Sequence, residues 1–223
     1  MPQLAKDCIA SWHKYMPDWE YRLWNEDNFD INIVPYVREA YDSRKFAFVT
    51  DYVRLWALYN YGGVYMDTDV EVLKPYDDRL MSLSAFIGYE GSKHKPLGSS
   101  TMASLPGSDW VKEQLDEYNG IHFIQSDGSL DMTPNTVRIT NRMKQDGFVP
   151  DGKYQVYKDM HIFPTDYFCP RQTTYEYLLT ENTYCDHKLA GSWTGGKSVP
   201  WYFRVIGQKN VTRLIKLKRW ICG

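Results

Sequence analysis

Apolar residues fall at intervals of three and four in several stretches of this chain, a spacing that predicts helices with one core-facing stripe. Leu4, Ala5, Cys8, Ile9 and Trp12 make such a stripe over residues 2–16, which Pro17 and Asp18 end. Phe48, Tyr52, Leu55, Trp56 and Tyr59 make another over residues 45–60. Gly62 and Gly63 stop it, because glycine tolerates the left-handed backbone that a helix C-terminus often takes. Trp110, Val111, Leu115 and Tyr118 mark a third helix over 109–119, and Thr133-Pro134-Asn135 introduce a fourth that runs to residue 144, with Asn135 as its cap.

Shorter extended stretches lie between them. Trp19, Tyr21 and Leu23 alternate with Glu20 and Arg22, as a half-buried strand should, and a polar turn follows at residues 25–28. Residues 64–66, 84–89, 154–157 and 161–163 read as further strands, and Val70, Val72 and Leu73 continue apolar before Pro75. Segment 90–106 is rich in Gly, Ser and Lys and reads as an active-site loop, with His94 as a solvent-exposed histidine. Helices and strands in this mixture predict one α/β domain, which 223 residues can enclose around a sizeable core.

Composition narrows the function classes. The formal net charge of −2 offers no basic field for nucleic acid. Aromatic residues reach 16%, with eight Trp and eighteen Tyr; sugar faces stack on such rings, although a large core needs them too. Cys8, Cys169, Cys185 and Cys222 show no Cys-x-x-Cys pair and no regular spacing, which indicates neither a zinc site nor a disulfide framework and fits a reducing, cytoplasmic setting. No apolar run approaches the roughly 20 residues of a membrane span, and no signal peptide opens the chain.

The candidate chemistry centres on residues 48–70. Asp67 and Asp69 lie two apart at the end of an expected strand, so both carboxylates project from one face. Two adjacent acids repel unless a cation sits between them, and carboxylate oxygens suit Mg²⁺ or Mn²⁺, which keep open positions for substrate phosphates. Asp51 and Arg54, one turn apart on the preceding helix, form either part of the same site or a plain surface ion pair.

The order Asp51-x-x-Arg54, then Tyr61-Gly62-Gly63-x-Tyr65-x-Asp67-x-Asp69, resembles the heart of the DxD glycosyltransferase family that includes bacterial capsular and exopolysaccharide sugar transferases. The glucosylating domain of the large clostridial toxins is a distant relative of that family. Pro164-Thr165-Asp166-Tyr167-Phe168 resembles the segment ahead of its last motif, and TYCDHKLAGSW, residues 183–193, is similar to that motif through His187 and the pair Ser192-Trp193. The likeness extends from about Leu4 to Trp193.

The resemblance implies a type A nucleotide-diphospho-sugar transferase fold and a retaining transfer from a nucleotide-sugar donor, UDP-linked, to a glycan or lipid-linked acceptor in capsular or surface polysaccharide synthesis. Asp51 and Arg54 would contact donor-sugar and ribose hydroxyls, Tyr65 would lie beside the nucleotide, and Asp67 would meet the ribose or sugar and the metal through water. Asp69 would bind Mn²⁺ or Mg²⁺ directly, with His187 completing the sphere. Ser192 or the Trp193 indole would donate to the diphosphate, which places Asp67, Asp69 and Trp193 in the catalytic group. Asn135 would lie near the sugar and acceptor. Family members usually open with an earlier strand that helps hold the base, and this sequence begins after it. Residues 1–205 make the transferase domain; 206–223 form a basic, apolar tail that either packs on the domain or rests on an anionic membrane surface at the inner face of the membrane. Two other classes stay open: a sugar-nucleotide-binding module without catalysis, and a metal-dependent phosphohydrolase using the same acidic pair.

Overall fold

The computed structural model describes residues 1–91, 97–171 and 178–190. The N-terminal part supplies helices α1 (Gln3–Tyr15), α2 (Pro35–Asp42) and α3 (Phe46–Tyr61), then strands β1 (Gly63–Met66) and β2 (Val70–Val72). Next come α4 (Asp78–Met81), β3 (Ala85–Tyr89), β4 (Leu97–Ser104), α5 (Asp109–Asp116) and α6 (Asn135–Gln145). The last described elements are β5 (Gln155–Tyr157), β6 (Met160–Phe163), α7 (Thr165–Phe168) and β7 (Cys185–His187). A mixed sheet runs in the order β1-β4-β3-β6-β5, with β3 and β6 parallel and the other neighbours antiparallel. A separate antiparallel ribbon joins β2 to β7. The chain is thus a mixed α/β structure, a mixed sheet flanked by helices.

Both faces of the central strands are buried, and their side chains part between two cores. Ala85, Ile87 and Tyr89 of β3 and Met102 of β4 join Tyr36, Leu55, Trp110 and Ile139 from α2, α3, α5 and α6. Phe86 and Ala103 face the other way, into Trp12 of α1, Val70 and Val72 of β2, Phe168 of α7 and Cys185 of β7. Alternation of this kind is what the two-residue repeat of a strand imposes when helices cover both sides.

Three expectations from the sequence change. Segment 19–23 is not a strand: no ladder engages it among the described residues, and Leu23 is 71% exposed. Its alternation serves aromatic packing instead, with Trp19 edge-on to Tyr76, Tyr21 stacked near Trp12, and Arg22 over the rings of Trp24 and Tyr61. Segment 90–106 is not an exposed loop from 97 onward, because residues 97–104 form β4, buried along its whole length. Its Ser and Thr groups, which read as loop polarity, are engaged from inside, as described below. Helix α2 had not been marked, although Pro35 at its first turn and Tyr36, Val37 and Ala40, all fully buried, carry the signal. His94 lies outside the described residues, as does the tail.

The junction between α3 and β1 depends on Gly62. It sits at φ +68°, and a Cβ there would stand 2.7 Å from Pro106 Cδ and 2.9 Å from the Ser104 carbonyl oxygen. Both the backbone conformation and the space exclude a side chain. Gly62→Ala is therefore expected to destabilise the fold by roughly 1–3 kcal/mol, read as a lower urea midpoint at unchanged slope.

Candidate functional site

Helix α3 buries an arginine where the sheet begins. Arg54 is 5% exposed, and its guanidinium donates to the Ser99 carbonyl at 2.6 Å and to Ser99 Oγ at 3.2 Å on β4. Nη2 pairs with Asp51 Oδ1 at 3.0 Å, and Nη1 pairs with Asp67 Oδ1 at 3.3 Å. Tyr65 of β1 lies under the same group, its ring centroid 4.7 Å from Cζ, and its hydroxyl donates to Asp67 Oδ1 at 2.6 Å. Asp51 and Arg54 therefore form a buried pair rather than a surface one, and the Asp67 carboxylate is held by Arg54 and Tyr65 together.

Asp51 also serves α6. Its Oδ2 accepts the Asn135 N–H at 3.3 Å, where the free amides of a helix N-terminus favour an anion. Burial pushes the Asp51 carboxyl up to about 6, and Asp67 adds to this, against the pull of Arg54. Asn135 itself is not a cap: it is the first residue of α6, its side chain makes no capping bond, and it is buried with Nδ2 3.5 Å from the Asp51 carbonyl. Asp51, reaching over from α3, takes the role expected of Asn135.

A tight turn follows β1. The Asp67 N–H donates to the Ser100 carbonyl at 2.8 Å, and Val70 N–H returns to the Asp67 carbonyl at 2.9 Å, so Asp69 lies in the turn entering β2. The ribbon register sets Val70 opposite His187, Glu71 opposite Asp186 and Val72 opposite Cys185. His187 Nε2 thereby reaches 3.4 Å from Asp69 Oδ1. Leu189 then takes φ +51°, an uncommon value for a side-chain-bearing residue, and the next N–H, of Ala190, donates to Asp69 Oδ2 at 2.9 Å. Burial raises the Asp69 carboxyl, but His187 and the Ala190 amide outweigh it and hold the group below the ordinary range. Burial opposes charge on His187, yet Asp69, Cys169 and Glu90 more than reverse this and raise it well above the usual histidine value.

Asp67, Asp69 and His187 each present one ligand atom, all within 4.8 Å of one another. Two carboxylates and an imidazole are a donor set that a hard or borderline divalent ion such as Mn²⁺ or Mg²⁺ accepts. Sequence reasoning missed Glu90 and Cys169, which crowd the other side of the His187 ring. Neither carried a signal, since Glu90 sits in a segment read as loop and Cys169 has no cysteine near it in sequence. Ser192 and Trp193 lie outside the described residues.

Ribbon and site share one ionic support. Asp186, fully buried, accepts from Arg171 through Nε at 3.0 Å and Nη2 at 3.1 Å, and from Lys188 at 2.7 Å; Lys188 also pairs with Glu71 across the ribbon. On the other side, Trp12 Nε1 of α1 donates to the Val70 carbonyl at 2.7 Å, and Val72 N–H donates to Ser11 Oγ at 2.8 Å.

Residues 2–86 match the family described as "Glycosyltransferase sugar-binding region containing DXD motif". The match supports a DXD glycosyltransferase family. Asp51, Arg54, Asp67 and Asp69 fall inside the matched segment, and His187 falls after it. Over 98 residues the chain is 31% identical to inositol phosphoceramide mannosyltransferase 1 of Schizosaccharomyces pombe, covering 39% of this chain and 29% of that protein. Over 79 residues it is 37% identical to inositol phosphoceramide mannosyltransferase 3 of the same yeast, covering 34% and 21%. The chain thus spans less than a third of the length of these curated relatives. Together the matches support a glycosyltransferase-like sugar-binding region. The family is one that typically binds a divalent metal.

Two stability outcomes follow from the geometry. Arg54→Met leaves the Asp51 and Asp67 carboxylates close together without their shared cation, and is expected to lower the unfolding free energy by about 3–5 kcal/mol. Adding Asp51→Asn to it should recover part of the loss in the same urea titration. For Asp186, burial raises the carboxyl but Arg171 and Lys188 lower it further, to a net value below the ordinary 3.8. Its contribution is therefore complete above the unfolded value and lost as pH falls through the folded one. The stability difference between the native chain and Asp186→Asn should be flat above about pH 5 and shrink steeply below about pH 4.

Proposed function

We propose that this chain is a metal-dependent retaining glycosyltransferase of the type A nucleotide-diphospho-sugar class. It moves a hexose from a UDP-linked donor to a hydroxyl of a growing capsular or surface glycan, at the inner face of the membrane. The observation that carries the reading is the β2–β7 register, which sets His187 against Asp69 although the two lie in distant parts of the sequence. A phosphohydrolase built on the acidic pair alone gives no role to the Asp51–Arg54 pair that braces Asp67 from beneath.

In this proposal Asp69 and His187 hold Mn²⁺ or Mg²⁺, with Asp67 meeting it through water; when bound, the ion neutralises charge developing on the leaving diphosphate. Arg54 acts from below the site, because its donors are turned to Ser99, Asp51 and Asp67. It fixes the two carboxylates in the orientation that receives sugar and ribose hydroxyls. Tyr65 locks Asp67 through its hydroxyl and lies beside the nucleotide in this proposal. Asn135, buried at the start of α6, acts on the sugar side of the site through Asp51 and does not touch the substrate itself. Ser192 or the Trp193 indole donates to the diphosphate, and a phosphate oxygen of the leaving group takes the acceptor proton as the hydroxyl attacks from the same face. Preorganised donors aimed at that charge supply most of the rate enhancement.

The tail supplies the membrane contact, which suits a lipid-linked acceptor; the curated relatives carry a ceramide-based acceptor in their names. Those names also carry mannose, so mannose-bearing nucleotides belong in the donor screen beside UDP-sugars. Calorimetric titration of UDP, with and without Mn²⁺, tests the site. Binding should require Mn²⁺ and weaken at least about tenfold in Asp69→Ala. Binding by the folded chain that ignores both Mn²⁺ and the substitution overturns the proposal.

A further inference from the structure

His187 presents two nitrogens to two different donor sets. Nε2 faces Asp69 at 3.4 Å, in the set described above. Nδ1 faces the opposite way, toward Glu90 and Cys169, and these three side chains also place one ligand atom each within 4.8 Å of one another. The Nδ1 atom is buried and receives no hydrogen bond; Glu90 Oε1 stands 3.6 Å from it, beyond hydrogen-bonding reach. Nδ1 is thus a buried ring nitrogen without a hydrogen-bond partner, set beside a thiol and a carboxylate that could share a cation with it.

We propose that Glu90, Cys169 and Nδ1 of His187 form a second cation site, selective for a borderline divalent ion of the Zn²⁺ or Co²⁺ class. The ligand types decide the ion. A thiolate favours Zn²⁺ and Co²⁺ over Mg²⁺ and Mn²⁺, and three protein ligands leave an open position. The surroundings fit as well. A histidine that binds metal through one nitrogen usually donates its other N–H to a carboxylate; with Nδ1 on this ion, Asp69 would receive it from Nε2, a loading that excludes an ion on Nε2. Cys169 is 2% exposed at the end of α7, anchored by its N–H to the Thr165 carbonyl. Binding a divalent ion through Cys169 would release the thiol proton to solvent. Glu90 is placed by Gly98 of β4: a Cβ at Gly98 would lie 3.0 Å from Glu90 Cβ and 3.1 Å from Oε2, so the missing side chain is what lets the carboxylate lean over the strand.

The two sets share one imidazole through its two nitrogens, and the second site does not rest on the transferase reading. Co²⁺ is the probe, added to the metal-free full chain and followed by absorption. The native chain should develop a thiolate-to-cobalt charge-transfer band that saturates at one ion per chain and is displaced by Zn²⁺. Cys169→Ser should abolish the band, and Glu90→Gln, which alters a part-exposed side chain and leaves the core intact, should weaken cobalt binding at least about tenfold. Asp67→Asn should leave the band in place, so a failed nucleotide site and a failed thiolate site give different results. Absence of the band in native protein with a folded circular dichroism spectrum overturns the proposal. So does a band undiminished in Cys169→Ser, which would assign the thiolate to another cysteine, or an affinity unchanged in Glu90→Gln.

Discussion

The structure depends on keeping one guanidinium charged where water is almost absent. Burying an arginine costs several kcal/mol unless every part of it is answered. Arg54 is answered by two carboxylates, a β4 carbonyl and hydroxyl, and the face of Tyr65. The answers come from α3 itself, from β1 and its exit and from β4, so satisfying one cation fixes these and, through Asp51, the start of α6 relative to one another. The requirement also explains the composition of β4. Large apolar side chains along Ser99, Ser100 and Thr101 would close the seam that the guanidinium and the Asp67 turn occupy.

The ribbon of β2 and β7 is a second constraint, and register is its content. Slipping the pairing by one residue would carry His187 to the opposite face and Asp186 out of its ion pairs. Three residue pairs alone would hold such a register weakly, so it is fastened from both sides. Trp12 and Ser11 of α1 take up backbone groups of β2, while Arg171, Lys188 and Glu71 surround Asp186. Side chains that look structural thereby set the distance between a carboxylate and an imidazole.

Much of this was legible in the letters, and the gaps have physical causes. The helices with strong apolar periodicity, α1, α3, α5 and α6, stand where the spacing puts them, give or take a residue or a short final turn. The error at β4 came from treating hydroxyls as a sign of solvent, when their partners were Arg54 and Leu58 of α3 and Cys185 of β7. The error at Trp19, Tyr21 and Leu23 came from treating alternation as hydrogen bonding, when rings were packing on rings. That Asp51, Arg54, Asp67 and Tyr65 converge follows from a helix, a glycine stop and a strand within one short stretch, which sequence spacing can convey. That Glu90 and Cys169 approach His187 depends on the chain returning from three separate elements, and no local pattern encodes it.

The turn after β1 and the strand β7 meet across a long detour, since Asp69 and Ala190 are 121 positions apart. Closing a loop of that length costs about 4 kcal/mol in chain entropy, a sum that a three-residue ribbon cannot easily offset by itself. Whatever grips Asp69 and His187 at once therefore works as a staple on the chain. Such a ligand would be bound by the fold and in return complete it, so occupancy should be felt as rigidity at α1, which grips β2 and touches none of the ligating atoms.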